Sequence, residues 1–132
     1  MRKLDTRELA AIFAGGVAGA VLRVELSEAY PSADGSWPWI VFSINVSGAF
    51  ILGYMVTRLQ ERLPLSTYRR PLVGTGFCGA FTTFSTMQLE LLKMIDRDRY
   101  GLAVGYAVAS IVAGYLAVFL ATALVRRVRV IA

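Results

Sequence analysis

Four long segments without a charged residue dominate the chain. They cover residues 9–22, 35–57, 71–89 and 100–125. About 20 apolar residues are enough for an α-helix to cross a bilayer, and the first segment is the shortest of the four. Hydrophobic residues make up 56% of the chain and charged residues 17%, and the short connections leave no room for a soluble domain. The sequence predicts an all-α membrane protein whose single domain contains four transmembrane helices, at about 8–28, 39–60, 69–94 and 99–125.

The basic residues lie at the ends of these segments and are divided unevenly between the two sides of the membrane. With four crossings, ten of them fall on the side of both termini: Arg2, Lys3, Arg7, Arg58, Arg62, Arg69, Arg70, Arg126, Arg127 and Arg129. The four on the other side are Arg23, Lys93, Arg97 and Arg99. Because Lys and Arg accumulate in cytoplasmic loops, this bias predicts that both termini are cytoplasmic. The net charge of +5 is therefore assigned to membrane topology, and nucleic acid is not expected as a partner.

The third segment has a polar centre, GFCGAFTTFST at residues 76–86, where a plain membrane helix carries Leu and Val. Lipid cannot satisfy the backbone groups of a broken helix, so such a centre must be buried in protein or line an aqueous path. We expect the helix to be interrupted within this stretch, near Gly79. Carbonyl oxygens released by the break can coordinate a monovalent cation, and the hydroxyls beyond it are free to donate to an anion. These hydroxyls belong to Thr82, Thr83, Ser85 and Thr86.

Two phenylalanines and an asparagine each admit a structural and a functional interpretation. Phe81 and Phe84 are three residues apart and share a face if the helix continues. They either pack in the core or against lipid, or present the positive edges of their rings to an anion. Asn45 lies near the middle of the second segment, where an unpaired amide is costly. It forms an interhelical hydrogen bond or, with Ser43 and the hydroxyls of the third segment, donates into a pore; we favour the pore.

Charged and aromatic residues near the segment ends complete the pattern. Arg23 either extends its charge to the interface or raises the anion concentration at a vestibule. Glu90 and Lys93 are three residues apart and are predicted to form a local ion pair near the interface. Trp37 and Trp39 are predicted to anchor the chain at the membrane interface. No acidic residue lies in mid-membrane and histidine is absent, which argues against a proton-coupled pump.

Each of the four predicted helices contains or adjoins a distinctive motif. The motifs are GGVAGAVLR at 15–23, WPW at 37–39 with INVSG at 44–48, GTGFCGAFTTFST at 74–86, and GYAVAS at 105–110. Together they resemble the Fluc/CrcB fluoride channel family. The helix-3 motif is the most specific, and the others occur in the right order. The resemblance implies antiparallel dimers of four-helix subunits with two anion pores and a central structural Na⁺. It also implies passive export of fluoride, without enzymatic activity, across a bacterial cell (inner) membrane, which would reduce fluoride toxicity.

The resemblance also implies roles for individual residues. The Na⁺ would be held by the backbone carbonyls of Gly79 and Thr82. Phe84 would be the first phenylalanine of the family's Phe box, Arg23 the helix-1 arginine at the vestibule, and Glu90 the acidic residue that follows the box. The expected pore or polar-track residues are Asn45, Ser85, Thr86, Tyr106 and Ser110.

Three features depart from the family pattern. Met87 stands where the family has its second box phenylalanine, and methionine is polarizable but lacks a ring edge. Val41 replaces a threonine common before the asparagine. A homodimer of antiparallel subunits needs a chain that inserts both ways, whereas the basic residues here are strongly one-sided. We therefore predict that the chain pairs with an oppositely oriented paralogue rather than with itself.

Two other functions fit part of the pattern. A small four-helix, proton-coupled drug exporter requires a carboxylate in the middle of helix 1, and residues 9–22 contain none. A non-conducting subunit, inactivated at Met87, is the other alternative. Fluoride-channel activity is the function that the sequence favours.

Overall fold

The computed structural model describes residues 5–61 and 68–128, and all regular structure within those ranges is helical. The helices are α1 Thr6–Ala29, α2 Trp39–Glu61, a π-helical segment Pro71–Cys78, α3 Gly79–Phe81, α4 Phe84–Asp96 and α5 Tyr100–Arg127. The prediction of an all-α protein is confirmed for these residues. The predicted bounds of the first, second and fourth helices lie within two residues of α1, α2 and α5. Of the basic residues assigned to the cytoplasmic side, Arg2, Lys3, Arg62 and Arg129 lie outside the described residues.

Three helices are long and apolar enough to cross a membrane. These are α1, α2 and α5, with 24, 23 and 28 residues. The predicted third span differs because it consists of the π-helical segment, α3 and α4 in succession. Its last two pieces are separated by Thr82 and Thr83, which are not helical.

The first helix packs backbone to backbone against the π-helical segment. Asp5 caps α1 by accepting a hydrogen bond from the Arg7 amide at 2.9 Å. A Cβ atom added at Gly76 would lie 2.5 Å from the carbonyl oxygen of Ile12, and additions at Gly15 or Gly19 would also meet backbone atoms of this segment. Glycine is needed here because a side chain would push the two helices apart.

The second and fifth helices form the other main contact. A Cβ added at Gly53 would lie 3.1 Å from the Cα of Val118, so these two helices also approach closely. The hydroxyls of Thr57 and Thr122 are 3.2 Å apart across the interface. At the end that carries the C-terminus, Arg126 and Glu61 form an ion pair at 2.9 Å. The π-helical segment and α3 therefore lie against α1, whereas α4 contacts α5 and α2, and α5 packs along α2.

Candidate functional site

The predicted third span is interrupted at two threonines. Thr82 has φ −75° and ψ 152°, and Thr83 has φ −145° and ψ 112°, so both are extended between α3 and α4. This position is three residues after Gly79, near which the sequence predicts the interruption. The local reason for the observed position is that Thr83 is an effective N-cap. Its Oγ1 accepts a hydrogen bond from the Thr86 amide at 3.2 Å and so starts α4.

Asn45 of α2 binds the backbone of the extended segment through both ends of its amide. Its Nδ2 donates to the carbonyl oxygen of Thr83 at 3.0 Å. Its Oδ1 accepts from the Thr83 amide at 2.8 Å. These bonds satisfy the two backbone groups that Thr83 would otherwise present unpaired in the interior of the bundle. Asn45 therefore forms interhelical hydrogen bonds, which was one of its two predicted roles. A direct role of Asn45 in a pore stays a prediction.

The interruption changes the pairing of nearby carbonyl groups. Cys78 O accepts from the Thr82 amide at 3.0 Å and from the Thr82 hydroxyl at 2.8 Å. In a continuous helix the Thr83 amide would donate to Gly79 O, but here it donates to Asn45. Among the hydrogen bonds of the described residues, none uses Gly79 O or Thr82 O. Gly79 is exposed on the surface of the chain.

Three hydroxyl groups form a cluster at the start of α4. The buried Thr83 Oγ1 donates to Thr86 Oγ1 at 2.9 Å and lies 3.4 Å from Ser85 Oγ. Ser85 is exposed and Thr86 is half-buried, so the cluster extends from the interior to the surface of the chain. Neutral hydroxyls arranged in this way can donate hydrogen bonds to a small anion without adding a fixed charge.

The two phenylalanines on either side of the interruption do not share a face. Phe81 is only 4% exposed and stacks on Phe77, with ring centroids 5.3 Å apart. Phe84 is 68% exposed. The expected common face required a continuous helix, and the extended Thr82 and Thr83 turn the two rings in different directions. Phe81 is therefore a core residue, and the Phe84 ring lies on the surface of the chain, where it can contact a ligand or another protein.

Tyr106 and Met87 belong to a buried cluster beside the start of α4. Tyr106 is completely buried and packs with Met94 and Ala103, while Met87 is partly buried against the same cluster. Ser110, one turn after Tyr106, is half-buried. Met87 therefore packs within the chain, next to Tyr106, one of the predicted path residues.

The remaining predicted residues lie apart from the interruption. Glu90 is buried, and its Oε1 accepts from Lys93 Nζ at 3.1 Å, which confirms the predicted local ion pair. Lys93 also pairs with Asp34 at 3.3 Å. Arg23 is half-buried and forms no ion pair with the residues that the structure describes. Ser43 is exposed and lines a surface cavity of about 660 Å³ beside the loop before α2.

Two residues beside this site were not assigned to it from the sequence. Gly48 of α2 lies directly under Thr82, so a Cβ at this position would collide with the Thr82 methyl group. Its place in INVSG, one turn after Asn45, was the available signal. Trp37 was predicted only as an interface anchor, yet its ring packs against Tyr106 with centroids 5.3 Å apart.

The helices and the interruption define a helical membrane protein with a polar site inside one of its spans. Comparison with known proteins identifies the family to which the chain belongs. A model of the CrcB-like protein family, described as Camphor Resistance (CrcB), matches residues 10–122. The chain therefore belongs to the CrcB family.

Individual relatives are similar along almost their whole length. Fluoride-specific ion channel FluC 1 of Mycolicibacterium paratuberculosis is 59% identical over 130 residues, covering 98% of each chain. FluC 1 of Mycobacterium bovis is 60% identical over 126 residues, covering 96% of each chain. Fluoride-specific ion channel FluC of Methanopyrus kandleri is 39% identical over 118 residues, covering 89% of this chain and 88% of the relative.

Proposed function

We propose that the chain is a subunit of a fluoride-specific channel through which fluoride leaves the cytoplasm passively. The observation that carries this proposal is the 59–60% identity, over almost the whole chain, to relatives that bear the name of fluoride-specific ion channels. The site supports it because the interruption offers hydroxyls and aromatic edges rather than catalytic groups. The protein is a transport protein and not an enzyme.

The membrane potential is sufficient to drive this export. Fluoride enters a cell as neutral HF in an acid medium and loses its proton inside. One elementary charge moving through 100 mV gains about 2.3 kcal/mol, which corresponds to a concentration ratio of about fifty. A selective channel that permits this movement needs neither ATP nor a proton gradient, and it lowers fluoride toxicity without further coupling.

The anion path that we propose runs along the start of α4 and one face of α5. Phe84, Ser85 and Thr86 provide a ring edge and hydroxyls at the subunit surface. Tyr106 and Ser110 continue the line on α5, one turn apart. Neutral donors suit a channel because they replace water around the ion but release it again. Asn45 acts on this path by holding the Thr83 backbone, and Arg23 raises the anion concentration at the vestibule.

A Na⁺ ion fits the proposed assembly as a structural cofactor. Carbonyl oxygens are suitable ligands for a monovalent cation at a broken membrane helix. In the described residues, neither Gly79 O nor Thr82 O accepts a hydrogen bond across the interruption or from a neighbouring helix. These residues contain no cluster of three His, Cys, Asp or Glu side chains that would suit a transition metal. The bound cation would balance the partial negative charge of the carbonyls and stabilise the break.

The proposed assembly is an antiparallel dimer in a bacterial cell (inner) membrane. A single subunit leaves Phe84 68% exposed and Gly79 on its surface, as expected if a second subunit completes both the path and the cation site. The one-sided basic residues favour a paralogous partner and cytoplasmic termini for this chain. Met87 occupies the second box position and packs on the cluster around Tyr106. Phe84 is therefore the one box phenylalanine that this subunit contributes.

Fluoride tolerance of a bacterial strain without its own exporters tests the function in cells. We expect the chain, alone or with a paralogous subunit, to restore growth at fluoride concentrations that arrest the strain. Thr82→Ile and Phe84→Ile are each expected to abolish this protection. Phe119→Ile makes the same change as Phe84→Ile at a residue of α5 that is 58% exposed, and it is expected to preserve growth. Equal protection by Phe84→Ile and Phe119→Ile would contradict the proposed path.

Topology reporters fused to the C-terminus test the orientation. Because ten basic residues lie on one side and four on the other, we expect at least about 90% of the molecules to have a cytoplasmic C-terminus. Substituting Arg126 and Arg127 by alanine should lower the fraction of molecules with a cytoplasmic C-terminus, whereas Arg97→Ala should not. Equal populations in the two orientations would contradict the proposed pairing with a paralogue.

A further inference from the structure

Two neighbouring side chains keep buried polar atoms without a hydrogen-bond partner. They are the indole Nε1 of Trp37, in the loop before α2, and the hydroxyl of Tyr106 in α5. Their rings are in contact, with centroids 5.3 Å apart and planes at 79°. A buried donor without an acceptor destabilises a protein, and most such groups in native structures have a partner. Two of them side by side indicate that a small acceptor binds between them.

The surroundings of the pair supply no such acceptor. The Trp37 ring also packs against Phe42 at 5.5 Å, and Tyr106 packs with Met94 and Ala103. The hydroxyl of Ser110, one turn along α5, makes no well-formed hydrogen bond with the Tyr106 hydroxyl. The buried acid of α4, Glu90, is engaged by Lys93 at 3.1 Å, which balances its charge. The two donors therefore face an environment that is apolar and carries little net charge.

We infer that Trp37 and Tyr106 together bind one fluoride ion, and that the indole N–H is a donor of the anion path at the end opposite the termini. The inference rests on the proposed function and extends it to a residue outside the predicted path. An indole N–H can only donate, and a tyrosine hydroxyl can donate as well, so the shared ligand must be an acceptor. Fluoride is the smallest anionic acceptor, and two neutral donors hold it without the strong attraction of a lysine.

The position of the pair suits a step between the outer mouth and the rest of the path. Trp37 lines the surface cavity of about 660 Å³ and packs against Tyr106, so it joins that cavity to α5. Ser110 lies on the same face of α5 as Tyr106, one turn closer to the C-terminus. An outgoing ion thus passes from the hydroxyls of α5 to Trp37 and then to the surface cavity.

The indole proton of Trp37 reports directly on this binding. The chain has two tryptophans, so Trp39→Phe leaves Trp37 as the only source of an indole resonance. With this variant in lipid nanodiscs, we expect sodium fluoride to move the indole proton resonance downfield in a saturable way, and sodium chloride to leave it unchanged. Adding Tyr106→Phe should weaken the response at least about threefold, since one of two donors is lost. An unchanged resonance in fluoride, or the same shift in both salts, would overturn the inference.

Fluoride flux gives an independent readout. Trp37→Phe keeps an aromatic ring and removes only the N–H, and we expect it to lower fluoride efflux from liposomes about tenfold. Trp39→Phe makes the same change at the exposed first residue of α2 and should retain the wild-type rate. If the wild type conducts and Trp37→Phe conducts equally well, this inference fails and the proposed function stands. If the wild type conducts no fluoride either alone or with a paralogous subunit, the proposed function fails, and the indole resonance still decides whether fluoride binds.

Discussion

Asn45→Leu is expected to abolish fluoride efflux and to lower the thermal stability of the protein. Leucine has the same branching at Cγ as asparagine but cannot make the bonds of 3.0 Å and 2.8 Å to the Thr83 backbone. Both backbone groups then stay unpaired inside the bundle, at a cost of about 1–3 kcal/mol each. The extended conformation of Thr83 is lost with them, and so is the position of the hydroxyl cluster at the start of α4.

Thermal unfolding in detergent and efflux from liposomes measure the two effects of Asn45→Leu. Ser47→Ala is the matched control because Ser47 lies on the same helix and bonds only to Ile44 O, three residues earlier. It should keep both the wild-type unfolding temperature and the wild-type flux. If Asn45→Leu unfolds at the wild-type temperature, Asn45 does not hold the interruption. If it is destabilised but conducts normally, the geometry of Thr83 is irrelevant to the path.

Gly76→Ala is expected to separate α1 from the π-helical segment and to prevent stable assembly. The new Cβ would lie 2.5 Å from Ile12 O and 3.1 Å from Gly16 N, and these are backbone atoms that cannot rotate away. Forcing a methyl group into a packed contact costs about 1–3 kcal/mol, and more where backbone must move. Gly114→Ala is the control, since no atom lies within 4 Å of the Cβ position there.

Size-exclusion chromatography after heating compares the two alanine variants. We expect Gly76→Ala to lose its folded fraction at temperatures that leave Gly114→Ala intact, and to show a matching loss of fluoride efflux. Equal behaviour of the two variants would mean that α1 and the π-helical segment do not need backbone contact. In that case the glycines at Gly15 and Gly19 would also lose their proposed packing role.

Much of the helical framework was predictable because it depends on local sequence properties. The long uncharged segments predict the positions of α1, α2 and α5, and the spacing of Glu90 and Lys93 predicts their ion pair. The membership of the CrcB family was also recognisable, since the motif around Thr82 and Thr83 is specific. These features need no knowledge of how the helices pack.

The details of the site were less predictable because they depend on contacts between distant residues. The position of the interruption depends on Asn45, which is 38 residues away from Thr83 and satisfies its backbone. The same two extended residues separate the environments of Phe81 and Phe84, whose spacing alone indicates a common face. Trp37 was predicted as an interface anchor because no local pattern reveals that its indole N–H is buried against Tyr106 without an acceptor.

The central claim is that this chain forms a path for fluoride, and fluoride efflux from liposomes tests it most directly. The protein, alone or with a paralogous subunit, is reconstituted in vesicles loaded with potassium fluoride, and a potassium ionophore then sets the membrane potential. A fluoride electrode should record rapid efflux from these vesicles, and a chloride electrode should record none from matched vesicles loaded with potassium chloride. Absence of fluoride efflux in both preparations, or efflux of chloride at the same rate, would contradict the account.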